Sequence, residues 1–240
     1  MIKKNNNMES HAALPTKNAV LILLNYFLGY LIIYPIIGSI ITLFMTQGEE
    51  VLSENILIVI TIFTTVTTYF LAYPLFKAES NVVENQKWKK IGKTFFFMYV
   101  TMLVLNPLIA WLTQTSDSQN QLIIIDGIQQ APFYVILSAL IMAPVVEEIV
   151  FRGVLYRKIR NVNRYVVAVF ISAFSFGFLH VLQSVLEQNW IDFPFIIVYM
   201  ALGLFFVKIY EETGKLSNAI LLHFINNLIG VVAILVLMNV

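Results

Sequence analysis

Cysteine is absent from all 240 residues, and that omission removes disulfides, thiolate metal sites, cysteine nucleophiles and a lipoprotein-type lipidation site together. Charge is scarce as well. Asp, Glu, Lys and Arg make up only 12% of the chain against 59% hydrophobic residues, and the mean hydropathy is +0.80, which excludes an ordinary soluble domain. The formal net charge is +1, and the basic residues form no patch of the kind that phosphate binding needs, so no nucleic-acid partner is expected. Pro-rich linkers and solenoid repeats are missing too, which leaves no sign of a second domain.

Long apolar runs fill the chain instead. A bilayer core of about 30 Å takes about 20 apolar residues as a helix, and cutting at the charged clusters gives about seven spans: 19–45, 55–76, 94–113, 132–155, 165–184, 193–209 and 217–238. The expected fold is an all-α bundle embedded in the lipid bilayer. Residues 1–17, which include His11, are read as a cytoplasmic tail, residues 18–240 as one domain, and 132–238 as its motif-bearing core. The first run is far longer than the apolar stretch of a secretory signal and no small-residue cleavage site ends it, so it is read as a retained span. The longest connections are expected at 77–93 and 114–130, with Leu122 to Gln130, too short to span, laid along the outer interface.

Basic residues favour the cytoplasmic side of short loops. Lys3, Lys4 and Lys17 precede the first run, Lys77 to Lys93 follow the second, Arg157 to Arg164 the fourth, and Lys208 and Lys215 flank the gap between the sixth and seventh. The intervening loops carry Glu49, Glu50, Glu54, Asp117, Asp126, Glu187 and Asp192 without a single Lys or Arg. This pattern predicts a cytoplasmic amino terminus, an extracytoplasmic carboxyl terminus and a location in the cell membrane. Trp88, Trp111 and Trp190 fall at expected interfaces, where an aromatic belt explains them.

Ionisable groups at membrane depth are costly and mark functional sites, and here they fall late in the chain. The fourth run holds the adjacent Glu147 and Glu148 with Arg152, the fifth His180, Gln183, Ser172 and Ser175, and the seventh His223, Asn226 and Asn227. On a helix Glu148 and Arg152 stand at i and i+4, so an internal ion pair is expected, while Glu147 turns about 100° away and is left free. Pro144 removes a backbone hydrogen bond just before them and predicts a kink or a widened cavity. Counting about 1.5 Å per residue from the nearest cytoplasmic charge puts Glu147 at about 15 Å, His223 at about 12 Å, Asn227 at about 18 Å and His180 at about 24 Å. One cavity can hold all four. Ser172 and Ser175 have no Lys partner on their run and read as helix packing.

The run Glu147-Glu148-Ile-Val-Phe151-Arg152-Gly153-Val-Leu155 resembles the E-E-x-x-F-R-G-x-L signature of the CAAX-protease and bacteriocin-processing family of intramembrane endopeptidases. Phe176 to His180 is similar to that family's F-x-x-x-H motif, and His223 to Asn227 to its H-x-x-x-N motif. Three motifs in order, each on its own run, cover roughly Pro144 to Asn227.

The resemblance implies an endopeptidase that needs no cofactor and acts on a membrane-associated peptide or protein. A carboxylate in low dielectric suits the task of activating water. By resemblance Glu147 is that base, His180 helps hold the water, His223 and Asn227 donate to the oxyanion, and Glu148 and Arg152 shape the site. Family members in bacteria are linked to processing of peptide pheromones or bacteriocins and to self-immunity. Other readings of the residues stay open: a two-Glu, two-His zinc site without any H-E-x-x-H, interhelical hydrogen-bond glue, carboxylate-driven transport, or a catalytically silent immunity or scaffold protein that binds a membrane peptide without cutting it.

Overall fold

The computed structural model describes residues 14–46, 53–160 and 164–238; His11, Lys3, Lys4, Glu49 and Glu50 lie outside them. Helices are the only regular elements among the described residues: α1 (Thr16–Met45), α2 (Glu54–Glu79), α3 (Lys87–Thr113), α4 (Gln119–Gln130), α5 (Pro132–Arg160), α6 (Tyr165–His180), α7 (Leu182–Leu186), α8 (Ile196–Thr213) and α9 (Leu216–Leu237). Length and apolar composition suffice for six of these to cross a membrane: α1, α2, α3, α5, α8 with the turn before it, and α9. The apolar α6, at 16 residues, is the shorter seventh. The chain is a multi-pass membrane protein, all-α, and every one of the seven apolar runs is a helix.

Three expectations need correction. The connection expected at 77–93 is mostly helix, because α2 runs to Glu79 and α3 starts at Lys87, where Lys90 Nζ donates to the carbonyl of Glu212 at 2.7 Å. Lys17, assigned to the tail, sits in the first turn of α1. The fifth span stops at His180 rather than continuing to 184, so Gln183 lies on the separate α7 with its amide 2.6 Å from Glu187 Oε1. A local reason is visible: His180 Nδ1 donates to the carbonyl of Phe176 at 2.8 Å, a side-chain bond to one of the last carbonyls that suits a helix end, and Val181 follows with φ −108° and ψ 7°.

Helix α5 sits at the centre, packed by α2, α6 and α9, while α8 fills the space between α6, α3 and α9. Two glycines let α6 and α8 approach closely. A Cβ on Gly177 would lie 2.9 Å from the carbonyl oxygen of Ile196, and one on Gly203 would lie 3.0 Å from Ala173 Cα, the small-residue contact that membrane helices use where no hydrophobic force drives them together. Interhelical polar bonds add to it: Asn18 donates to the Leu71 carbonyl at 2.7 Å and Asn25 to Thr68 Oγ1 at 3.0 Å, both across α1 and α2.

The end carrying the basic residues is tied by carboxylates. Glu79 Oε1 accepts from Arg157 Nη1 at 2.8 Å and from the Tyr210 hydroxyl at 2.6 Å, and its Oε2 accepts the Leu216 amide at 2.8 Å, so one buried side chain joins α2, α5, α8 and α9. In the following loop Glu84 meets Lys215 Nζ at 2.8 Å and Asn218 Nδ2 at 2.9 Å. Burial works to raise the Glu84 carboxyl, but the bonds from Lys215 and Asn218 and the charges of Lys87 and Lys215 outweigh it and hold it below the usual carboxylate value. At the other end Glu54 Oε1 accepts the Phe133 and Tyr134 amides at 2.8 and 3.1 Å, satisfying the first turn of α5.

Candidate active site

The two adjacent glutamates occupy different surroundings. Over Ser138–Glu147 and again over Ile149–Tyr156 the backbone of α5 takes the wider i→i+5 hydrogen-bond pattern, a local widening that recurs at functional sites. Pro144 lies inside the first stretch, as its missing amide predicts. Glu148 is fully buried and its Oε1 accepts from Arg152 Nη1 at 2.8 Å and from His223 Nδ1 at 3.0 Å. The expected i, i+4 pair is present.

Aromatic rings and backbone enclose that pair. The Arg152 guanidinium lies 4.6 Å from the Phe176 ring centroid and 5.2 Å from that of Phe206, and its Nη2 donates to the Gly203 carbonyl at 3.0 Å. A buried charge needs such partners, and removing one of them is costlier than never having built the pair. The His223 ring stacks on Phe206 with centroids 4.6 Å apart. Motif residues Phe151 and Phe176 pack edge to face at 5.6 Å, and a Cβ on Gly153 would lie 3.0 Å from a Leu75 methyl. Ser172 donates to the Phe151 carbonyl at 3.0 Å, so its hydroxyl is taken up in packing, as expected.

Glu147 stands apart from this ion pair. Its Oε1 accepts from the Tyr26 hydroxyl of α1 at 3.4 Å, and its Oε2 lies 4.0 Å from His180 Nε2 and accepts no hydrogen bond from a described residue. The bond from His180 Nδ1 to a carbonyl oxygen requires the proton on Nδ1, so in the neutral ring Nε2 is an acceptor. Two acceptors thus face each other, 4.0 Å apart. That is too far for a direct bond, but it suits a single water donating one O–H to each at about 2.8 Å. The His180 ring is held on its flat side by Tyr199, stacked 4.4 Å away, whose hydroxyl pairs with Ser118 Oγ at 2.7 Å.

The third motif is placed less directly. Asn227 Nδ2 donates one hydrogen to the Ala139 carbonyl at 2.9 Å, and Asn227 Oδ1 accepts from Asn226 Nδ2 at 3.1 Å. His223 spends one ring nitrogen on Glu148, and Asn227 engages both its amide nitrogen and its oxygen with protein partners. Four of the six residues singled out, Glu148, Arg152, Glu147 and His180, form two facing pairs; His223 joins the first, and Asn227, on α9, is bonded to α5 at Ala139. No three His, Asp or Glu side chains among the described residues converge as a metal-holding group.

Sequence comparisons identify proteins similar to this chain. The profile of the Type II CAAX prenyl endopeptidase Rce1-like family matches residues 129–229. The chain is 30% identical over 175 residues to MroQ, named a membrane-embedded CAAX protease, of Staphylococcus aureus strain USA300, covering 68% of this chain and 64% of that protein. It is 29% identical over 111 residues to YdiL of Bacillus subtilis strain 168, which carries the name of a membrane peptidase, covering 46% of this chain and 41% of that one. Over its motif-bearing part the chain is therefore similar to CAAX-type membrane endopeptidases. It spans less than two thirds of the length of either relative, and no solved structure matches it. The Rce1-like match begins three residues before α5 and ends within α9, so it contains all six candidate residues and leaves out α1 to α3. Tyr26 lies beyond it, and Tyr199 lies within it but in no motif; the sequence carries no signal for either except a hydroxyl inside an apolar run.

Proposed function

We propose that the chain is an intramembrane endopeptidase that hydrolyses a peptide bond of a membrane-associated peptide or protein with water activated by Glu147. The observation that carries this reading is the facing pair of acceptors, Glu147 Oε2 and His180 Nε2, 4.0 Å apart in a buried site. A water donating to both keeps a lone pair for the scissile carbonyl carbon. As its oxygen bonds to that carbon, one proton passes to Glu147. The C–N bond then breaks and Glu147 returns the proton to the leaving amine, so one water is consumed and an acid and an amine result. The second amide hydrogen of Asn227 and the Nε2 of His223 in its imidazolium form, held by Glu148, donate to the developing oxyanion, an interaction on the order of 3 kcal/mol per donor in other proteases. Arg152 neutralises Glu148 and keeps Glu147 the uncommitted carboxylate.

The relatives that match are bacterial, and we assign the activity to bacterial peptide processing or bacteriocin self-immunity. The Lys- and Arg-bearing loops support an orientation with the amino terminus in the cytoplasm and the carboxyl terminus outside the cell membrane. The test incubates purified protein in lipid nanodiscs with a library of membrane-associated peptides, some carrying prenylated CAAX tails, and reads products by mass spectrometry. The expected result is a pair of fragments whose masses sum to the parent plus one water, unchanged by a strong chelator. Peptide bound but never cut favours the silent scaffold, and activity lost to the chelator and restored by Zn²⁺ favours a zinc enzyme.

A further inference from the structure

We propose that Tyr26, outside all three motifs, is a positioning residue that holds the Glu147 carboxylate with Oε2 turned to His180; this rests on the hydrolytic function proposed above. The Tyr26 ring is 2% exposed and its hydroxyl reaches Glu147 Oε1 at 3.4 Å from 121 positions earlier in the chain. A carboxylate has two oxygens and free rotation about its last bond, so an apolar pocket alone does not decide which oxygen faces the water. A donor on one oxygen does. With Oε1 committed to Tyr26, Oε2 is the oxygen left facing His180 Nε2.

The local build of α1 supports the placement. Asn25, the preceding residue, is buried and donates to Thr68 Oγ1 at 3.0 Å and the Thr64 carbonyl at 3.3 Å, while its Oδ1 accepts from the Tyr34 hydroxyl at 2.6 Å. These bonds pin α1 to α2 one residue before Tyr26. From Leu24 to Ile33 the backbone widens to i→i+5 hydrogen bonding, as α5 does opposite. Tyr30 stacks parallel on the Tyr26 ring with centroids 6.0 Å apart. The bland alternative is that a buried hydroxyl takes whatever acceptor is nearest. Kinetics separate the two, because a structural tyrosine has no reason to act on turnover alone.

The experiment compares Tyr26→Phe, Glu147→Gln and Tyr73→Phe, a hydroxyl deletion on the exposed face of α2, by steady-state kinetics and thermal unfolding in nanodiscs. Tyr26→Phe keeps the ring, and the contact is long for an O–H···O bond, so kcat is expected to fall about tenfold, the scale of one hydrogen bond to a charged group. KM and the unfolding temperature should stay at wild-type values, and Tyr73→Phe should match wild type throughout. An unchanged kcat in Tyr26→Phe, or a loss expressed in KM alone, overturns the assignment. An infrared measurement stands apart from activity: the carboxyl band lost in Glu147→Gln should shift in Tyr26→Phe, and a band that stays in place also overturns it. Undiminished hydrolysis by Glu147→Gln would sink the glutamate reading instead, while the infrared shift still reports the contact.

Discussion

At the scale of single residues, helix rotation of about 100° per residue separates Glu147 from Glu148. Glu148 is held through Oε1 by Arg152 and His223, whereas Glu147 turns its Oε2 toward His180 Nε2. The same geometry distinguishes the two asparagines. Asn227 is at i+4 from His223 and still holds one amide hydrogen after bonding Ala139, whereas Asn226 donates into Asn227. Under the proposed mechanism Asn227→Ala should lower kcat about 100-fold or more, the scale for losing an oxyanion donor, with KM little changed. Asn226→Ala should cost less than about tenfold, because it removes a prop rather than a donor. Measuring both variants side by side decides it, and a larger kcat loss for Asn226→Ala would refute the assignment.

At the scale of elements, what the sequence disclosed and what it hid have physical causes. Helices that cross a bilayer announce themselves through length and composition, so all seven runs were legible, and the Glu148–Arg152 pair was legible because both partners lie within one turn. Helix ends were harder. Nothing in the apolar text from Tyr165 to Gln183 marks the stop at His180, which coincides with a side-chain bond to Phe176 and a non-helical Val181. The Lys-rich residues from 87 have the polarity of a loop in sequence, yet α3 extends through them. Contacts between distant helices were illegible: Tyr26 meeting Glu147, or Glu79 meeting Arg157 and Tyr210, depends on which helices become neighbours, and no local pattern encodes that.

For the whole molecule, the proposed orientation and the proposed chemistry call for separate tests. The absence of cysteine makes each introduced one a unique probe. Positions 89 and 158 belong to the basic side, and positions 116 and 187, both exposed, to the acidic loops. An impermeant thiol reagent applied to intact cells should label Cys at 116 and 187 and spare 89 and 158; the reverse pattern would invert the topology. The central claim is that Glu147 activates the water. It is tested most directly by turnover of Glu147→Gln against wild type on one cleaved peptide, with correct insertion and an unchanged unfolding temperature as controls. The account predicts hydrolysis reduced at least about 100-fold, since the substitution removes the base and keeps the volume. Turnover within a few-fold of wild type in a folded, inserted Glu147→Gln protein would contradict it.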